Sequence, residues 1–95
     1  MDVNQLQTVR RVLGYAAMGT MISPDVAKSA LDVVDEVRES VDSPEQIQSL
    51  VKAVGVLDRG LMPSQDLCRN GQREVYVLID RMQERGVQIN VPRAR

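Results

Sequence analysis

The chain writes one nine-residue phrase twice. Residues 19–27 read GTMISPDVA and residues 60–68 read GLMPSQDLC, so the pattern G-x-M-x-S-x-D-[VL]-[AC] recurs at an offset of 41 positions. Applied without a gap, the same offset pairs eight identical residues: Gln5 with Gln46, Gln7 with Gln48, Gly14 with Gly55, Gly19 with Gly60, Met21 with Met62, Ser23 with Ser64, Asp25 with Asp66, and Val34 with Val75. Conservative pairs fill the intervals, among them Leu6 with Ile47, Val9 with Leu50, Leu13 with Val54 and Val37 with Leu78. A period of this length is the mark of one supersecondary unit used twice. The 95 residues therefore read as a single all-α domain, 1–95, built from two tandem helix-turn-helix hairpins. The copies cover about 4–40 and 45–81, and a short extended tail follows at 87–95.

The phrase makes sense as the corner of each hairpin. Glycine ends the first helix, serine caps the second, and aspartate suits the positive N-terminal end of that second helix. Methionine, flexible and apolar, is expected to plug the inside of the bend. Around the corners, apolar residues recur at helical spacing in four stretches. These are Leu6, Val9, Leu13, Ala16; Val26, Ala30, Val33, Val37, Val41; Ile47, Leu50, Val54, Leu57; and Val75, Leu78, Ile79, Met82. Ser23 and Ser43 each precede a proline, the arrangement of an N-cap followed by proline at the first helical position, and Gln46 completes a capping box with Ser43. Gly86, like Gly19 and Gly60, follows an apolar run as a helix stop.

Three features strain the four-helix pattern. The mid-helix glycines Gly14 and Gly55 weaken their helices, and a close approach of the two first helices about a pseudo-two-fold axis would account for them. REVYVLID at 73–80 has strong strand propensity, although its counterpart in the first copy, DVVDEVRE, reads clearly as helix. Gly71 is a candidate bend near the start of that fourth helix, and VQINV at 87–91 alternates like an exposed strand. Two short helices cannot bury their apolar faces alone, so the copies are expected to pack on each other, on a second chain, or on both.

Composition removes most chemistry. Histidine is absent, and with it the commonest general base and metal ligand. Cys68 is the single cysteine, so no internal disulfide or thiolate zinc cluster forms, and a reducing compartment is the simplest expectation. The start MDVNQLQTVRR has no export pattern, and the nearly apolar run at 12–22 is too short to span a bilayer, so residence is expected to be cytoplasmic. Net charge is −1, but residues 1–58 carry five basic and nine acidic side chains while residues 59–95 carry seven and four. The two ends are thus oppositely charged, which suits head-to-tail association or an oppositely charged partner.

The remaining constellations point away from catalysis. Asp32, Asp35, Glu36 and Glu39 lie at i, i+3, i+4 and i+7, a solvated helix face rather than a dry carboxylate site. Cys68 beside Arg69 near a helix start has reasons for a lowered pKa, but its counterpart Ala27 marks it as a small packing residue. No phosphate loop, cofactor site, metal site or small-molecule site is read, and the chain is expected not to be an enzyme. Residues 57–89 resemble, over about a third of the chain, the winged helix-turn-helix of bacterial regulators: helix, short helix, glycine turn, long helix and a closing RGVQI. That resemblance implies DNA contacts by Gln72, Arg73 and Tyr76, with Arg81 and Arg85 near phosphates. It departs from the pattern at Gln72, where an apolar residue usually anchors the turn, and in a turn about three residues short. The leading expectation is a protein-contact module that self-associates as a homo-oligomer through Tyr76, Val77, Val87, Ile89 and Val91, with the DNA-binding regulator as the alternative.

Overall fold

A computed structural model describes residues 2–84, and all of the regular structure in them is helical. The expectations for Arg85, for Gly86 as a helix stop and for the tail at 87–95 fall outside the described residues. Four α-helices follow in order: α1 Val3–Ala17, α2 Pro24–Ser40, α3 Gln48–Asp58 and α4 Gln65–Glu84, with a 3-10 turn at Pro44–Ile47 ahead of α3.

The two corners coincide bond for bond at the offset of 41. At the end of α1, the Gly19 N–H donates to the Ala16 carbonyl (3.0 Å) and the Thr20 N–H to the Tyr15 carbonyl (3.0 Å). At the end of α3, Gly60 and Leu61 do the same to Leu57 (3.0 Å) and Val56 (3.1 Å). This is the Schellman ending, whose left-handed residue is glycine because any Cβ is strained there, and φ is 84° at Gly19 and 81° at Gly60. Ser23 Oγ then accepts the Val26 N–H (3.3 Å), and Ser64 Oγ the Leu67 N–H (3.1 Å). The methionines do not plug the bend. Met21 is 80% exposed and Met62 41%, while their successors Ile22 and Pro63 turn inward. In an extended connection successive side chains point to opposite sides, so the residue next to methionine takes the inner position.

The capping box also sits elsewhere than expected. It forms at Asp2 and Gln5, where each side chain accepts the other's backbone N–H at 2.9 Å. At Ser43 the Gln46 N–H donates to the Ser43 carbonyl (3.1 Å) within the 3-10 turn, so the serine hydroxyl takes the Glu45 N–H (3.3 Å) and no box closes. The α3 amides are capped from across the molecule instead. Glu74 of α4 accepts the Leu50 N–H (2.8 Å) and the Ser49 N–H (3.2 Å) with its two carboxylate oxygens.

Helix α4 is the shared wall of the bundle, packed on α1 along one side and on α3 along the other. It runs antiparallel to α1: Gln65 Nε2 donates to the Ala17 carbonyl (3.4 Å) and Gln72 Nε2 to the Arg10 carbonyl (3.0 Å). Gly71 neither bends nor breaks it. A Cβ at Gly71 would stand 2.9 Å from Leu13 Cδ1 and 3.3 Å from Leu50 Cα, so this glycine is what lets three helices close on one point. The close approach expected of Gly14 and Gly55 is absent, because α1 and α3 are held apart by α4. A Cβ at Gly14 would meet the Gln72 amide at 2.9 Å, and one at Gly55 would meet nothing within 4 Å.

The first and third expected stripes are buried in full, and of the fourth Val75 and Ile79 are buried while Leu78 and Met82 pack partly against the core. The α2 stripe is rotated. Ala27, Ala30, Val34 and Val37 are buried, while Val26 is exposed and Val33 and Val41 half-buried. The cause is that α2 leans more on α3 than on its hairpin partner α1, leaving a groove of about 570 Å³ floored by Val9, Val12, Val26 and Val33.

Two substitutions separate the glycines. Gly55→Ala is expected to raise the unfolding free energy in urea by about 1 kcal/mol, the helix-propensity gain with no clash to oppose it. Gly71→Ala is expected to lower it by about 1 kcal/mol, because overpacking against the Leu50 backbone outweighs the same gain. Removing the cross-molecule cap with Glu74→Ala is expected to lower it by about 2 kcal/mol, the scale of a hydrogen bond to a charged group in a half-buried site.

Candidate functional site

The stretch at 73–80, strand-prone in composition but expected to be helix from its repeat counterpart, is helix throughout, and the helix period sorts its apolar residues into two faces. Val75 and Ile79 point into the core with Cys68 and Gly71. Tyr76 and Val77 point out, 57% and 42% exposed, and they stand in line with exposed Arg69, Arg73, Asp80 and Glu84. Five consecutive apolar residues span more than one turn of this 20-residue helix and exceed what one buried face can absorb. Two of them are left on the surface.

Tyr76 is supported from α1. The Arg10 guanidinium carbon lies 5.7 Å from the centroid of the tyrosine ring, within cation–π reach, and the Arg10 carbonyl is the acceptor for Gln72. Arg10 Nε is buried with no hydrogen-bond partner among the described residues. A stacked guanidinium holds the ring in place, so less freedom is left to lose when another surface covers it. The aromatic was legible in the sequence as an off-stripe residue, whereas Arg10 was not, because its role depends on a helix more than sixty positions away.

The residues expected to meet a partner or DNA are distributed unevenly. Tyr76 and Val77 lie together on the outer face, Arg73 and Arg81 are exposed, and Arg85, Val87, Ile89 and Val91 fall outside the described residues. Gln72 is half-buried and committed to α1 through the Arg10 carbonyl, so its amide is not available to a base edge. The short helix and glycine turn implied by the winged-helix resemblance are not formed, because Gln65–Glu84 is one uninterrupted helix in which Gly71 is buried against Leu13 and Leu50.

The acidic residues Asp32, Asp35, Glu36 and Glu39 are all exposed on α2, and Asp35 pairs loosely with Arg38 at 4.0 Å. Among the described residues no group of three or more His, Cys, Asp or Glu is placed to hold a metal ion, and no helix is long and apolar enough to cross a membrane. Cys68 is fully buried, as its counterpart Ala27 is, and burial raises its thiol pKa rather than lowering it. Comparison with family models, with curated proteins and with solved structures finds no match to this chain.

Burial of Cys68 has two measurable consequences. At mildly alkaline pH a thiol reagent is expected to label it only as fast as the chain unfolds, and at once in denaturant. Because the folded state favours the neutral thiol, the thiol's contribution to stability is complete below the ordinary thiol pKa and is lost as pH rises through the raised folded value. The native chain is therefore expected to lose stability in that alkaline range more steeply than Cys68→Ala, followed by urea unfolding at each pH.

Proposed function

We propose that this chain is a non-catalytic helical module that works by protein contact in the cytoplasm, and that it associates with further copies of itself. The observation that carries this is the pair Tyr76 and Val77, large apolar side chains standing adjacent on the solvent face of the helix that organises the core. Tyrosine flanked by arginine is the composition of interface anchors, and Arg10 stacked on Tyr76 supplies both. The further exposed apolar residues Met18, Met21, Leu61 and Met62 lie at the two corners, which share one end of the bundle where Gln65 reaches Ala17. Tyr76 lies eleven residues along α4 from Gln65, about 16 Å by helix rise, so these corner residues form a separate apolar area.

Sedimentation or light scattering tests this directly. The native chain is expected to run as a species of two or more copies. Tyr76→Ala combined with Val77→Asp is expected to give a monomer with an unchanged helical circular dichroism spectrum, since neither side chain is in the core. Loss of helical signal in that variant would place both in the fold instead. The native chain is expected not to retard random duplex DNA at low salt. Salt-sensitive retardation lost in Arg73→Ala would favour the regulator alternative.

A further inference from the structure

The charges that flank Tyr76 and Val77 are arranged so that the face complements itself. Arg69 and Arg73 precede the apolar pair, Asp80 and Glu84 follow it, and all six are exposed along one stripe of α4, opposite buried Val75 and Ile79. A two-fold axis placed between positions 76 and 77, perpendicular to the helix, sets each position against the one equally far on the other side. Tyr76 then meets the partner's Val77, Arg73 meets the partner's Asp80, and Arg69 meets the partner's Glu84. Each of these contacts occurs twice, as an isologous interface requires.

The same stripe breaks a local rule within one chain. Arg69 with Arg73, and Asp80 with Glu84, are like charges at i and i+4, which weaken an isolated helix. Sixteen residues from Arg69 to Glu84 make a seam of about 22 Å, long enough for four turns of contact at the 3- and 4-residue spacing of packed helices. We infer that the second copy docks by antiparallel pairing of α4 with α4, with Tyr76 and Val77 at the centre and the arginine and carboxylate doublets of the two chains facing each other. This rests on the self-association proposed above and specifies its geometry.

Reversing single charges tests the geometry apart from the association. Arg73→Asp alone sets two carboxylates against each other on both sides of the apolar centre, and Asp80→Arg alone sets two arginines. Each variant is expected to weaken self-association by about tenfold or more while keeping its helical spectrum. Mixed in equal amounts, the two variants are expected to recover native-like affinity as heterodimers, because every carboxylate then faces an arginine. Native mass spectrometry distinguishes the heterodimer by mass. If the native chain associates but the single variants associate equally well, or the mixture does not recover, the antiparallel seam is wrong while self-association stands. If the native chain is monomeric at every concentration reached, both fall together.

Discussion

Two residues of α4 take hold of Leu50 in α3. Gly71 brings the helix within contact of the Leu50 Cα, and Glu74, one turn on, accepts the Leu50 N–H at 2.8 Å. Both grips need α4 to be helical through 71–74, since only a helix sets residues three apart on the same face. Leu13 of α1 closes on the same glycine from the other side. Once these contacts form, Val75 and Ile79 are carried into the core, and Tyr76 and Val77 are carried out of it. The exposed apolar pair is thus a consequence of how the core is closed. It is not a loose surface feature.

Much of this was legible in the residues and some was not, for identifiable reasons. Corner chemistry is local, and the Gly19 and Gly60 endings and the Ser23 and Ser64 caps stand where the phrase puts them. The buried faces lie on the expected stripes in three of four helices. In α2 the periodicity alone could not say which neighbour the helix would lean on, and α3 took it by a small rotation. Strand propensity at 73–80 was overridden by tertiary contacts on both sides of α4. Gly71 looked like a bend because sequence shows a missing side chain and not what fills its space. Gln72, Glu74 and Arg10 act between helices far apart in the chain, so nothing in their own neighbourhoods announces their roles.

The proposed site follows the same separation. The apolar pair and the charges around it lie within one helix, so their pattern can be read without knowing the rest of the fold, provided that helix is continuous. What the fold adds is orientation: the stripe faces outward and one of its members is steadied by a guanidinium from α1. A module of this size has one modest core and leaves a large share of its surface exposed. The proposed pairing through its central helix would join assembly to folding, because any change that loosens α4 on Leu50 would also tilt the proposed seam.

The proximity of Tyr76 to the Val77 side chain of another chain is therefore the central quantity. In a sample mixing isotope-labelled and unlabelled chains, isotope-filtered NMR spectroscopy registers only contacts between different chains. Cross-peaks from the Tyr76 ring of one chain to the Val77 methyl groups of the other are the expected result. A sample in which the Tyr76 ring gives no cross-peaks to another chain, at concentrations where the chain is associated, would contradict it.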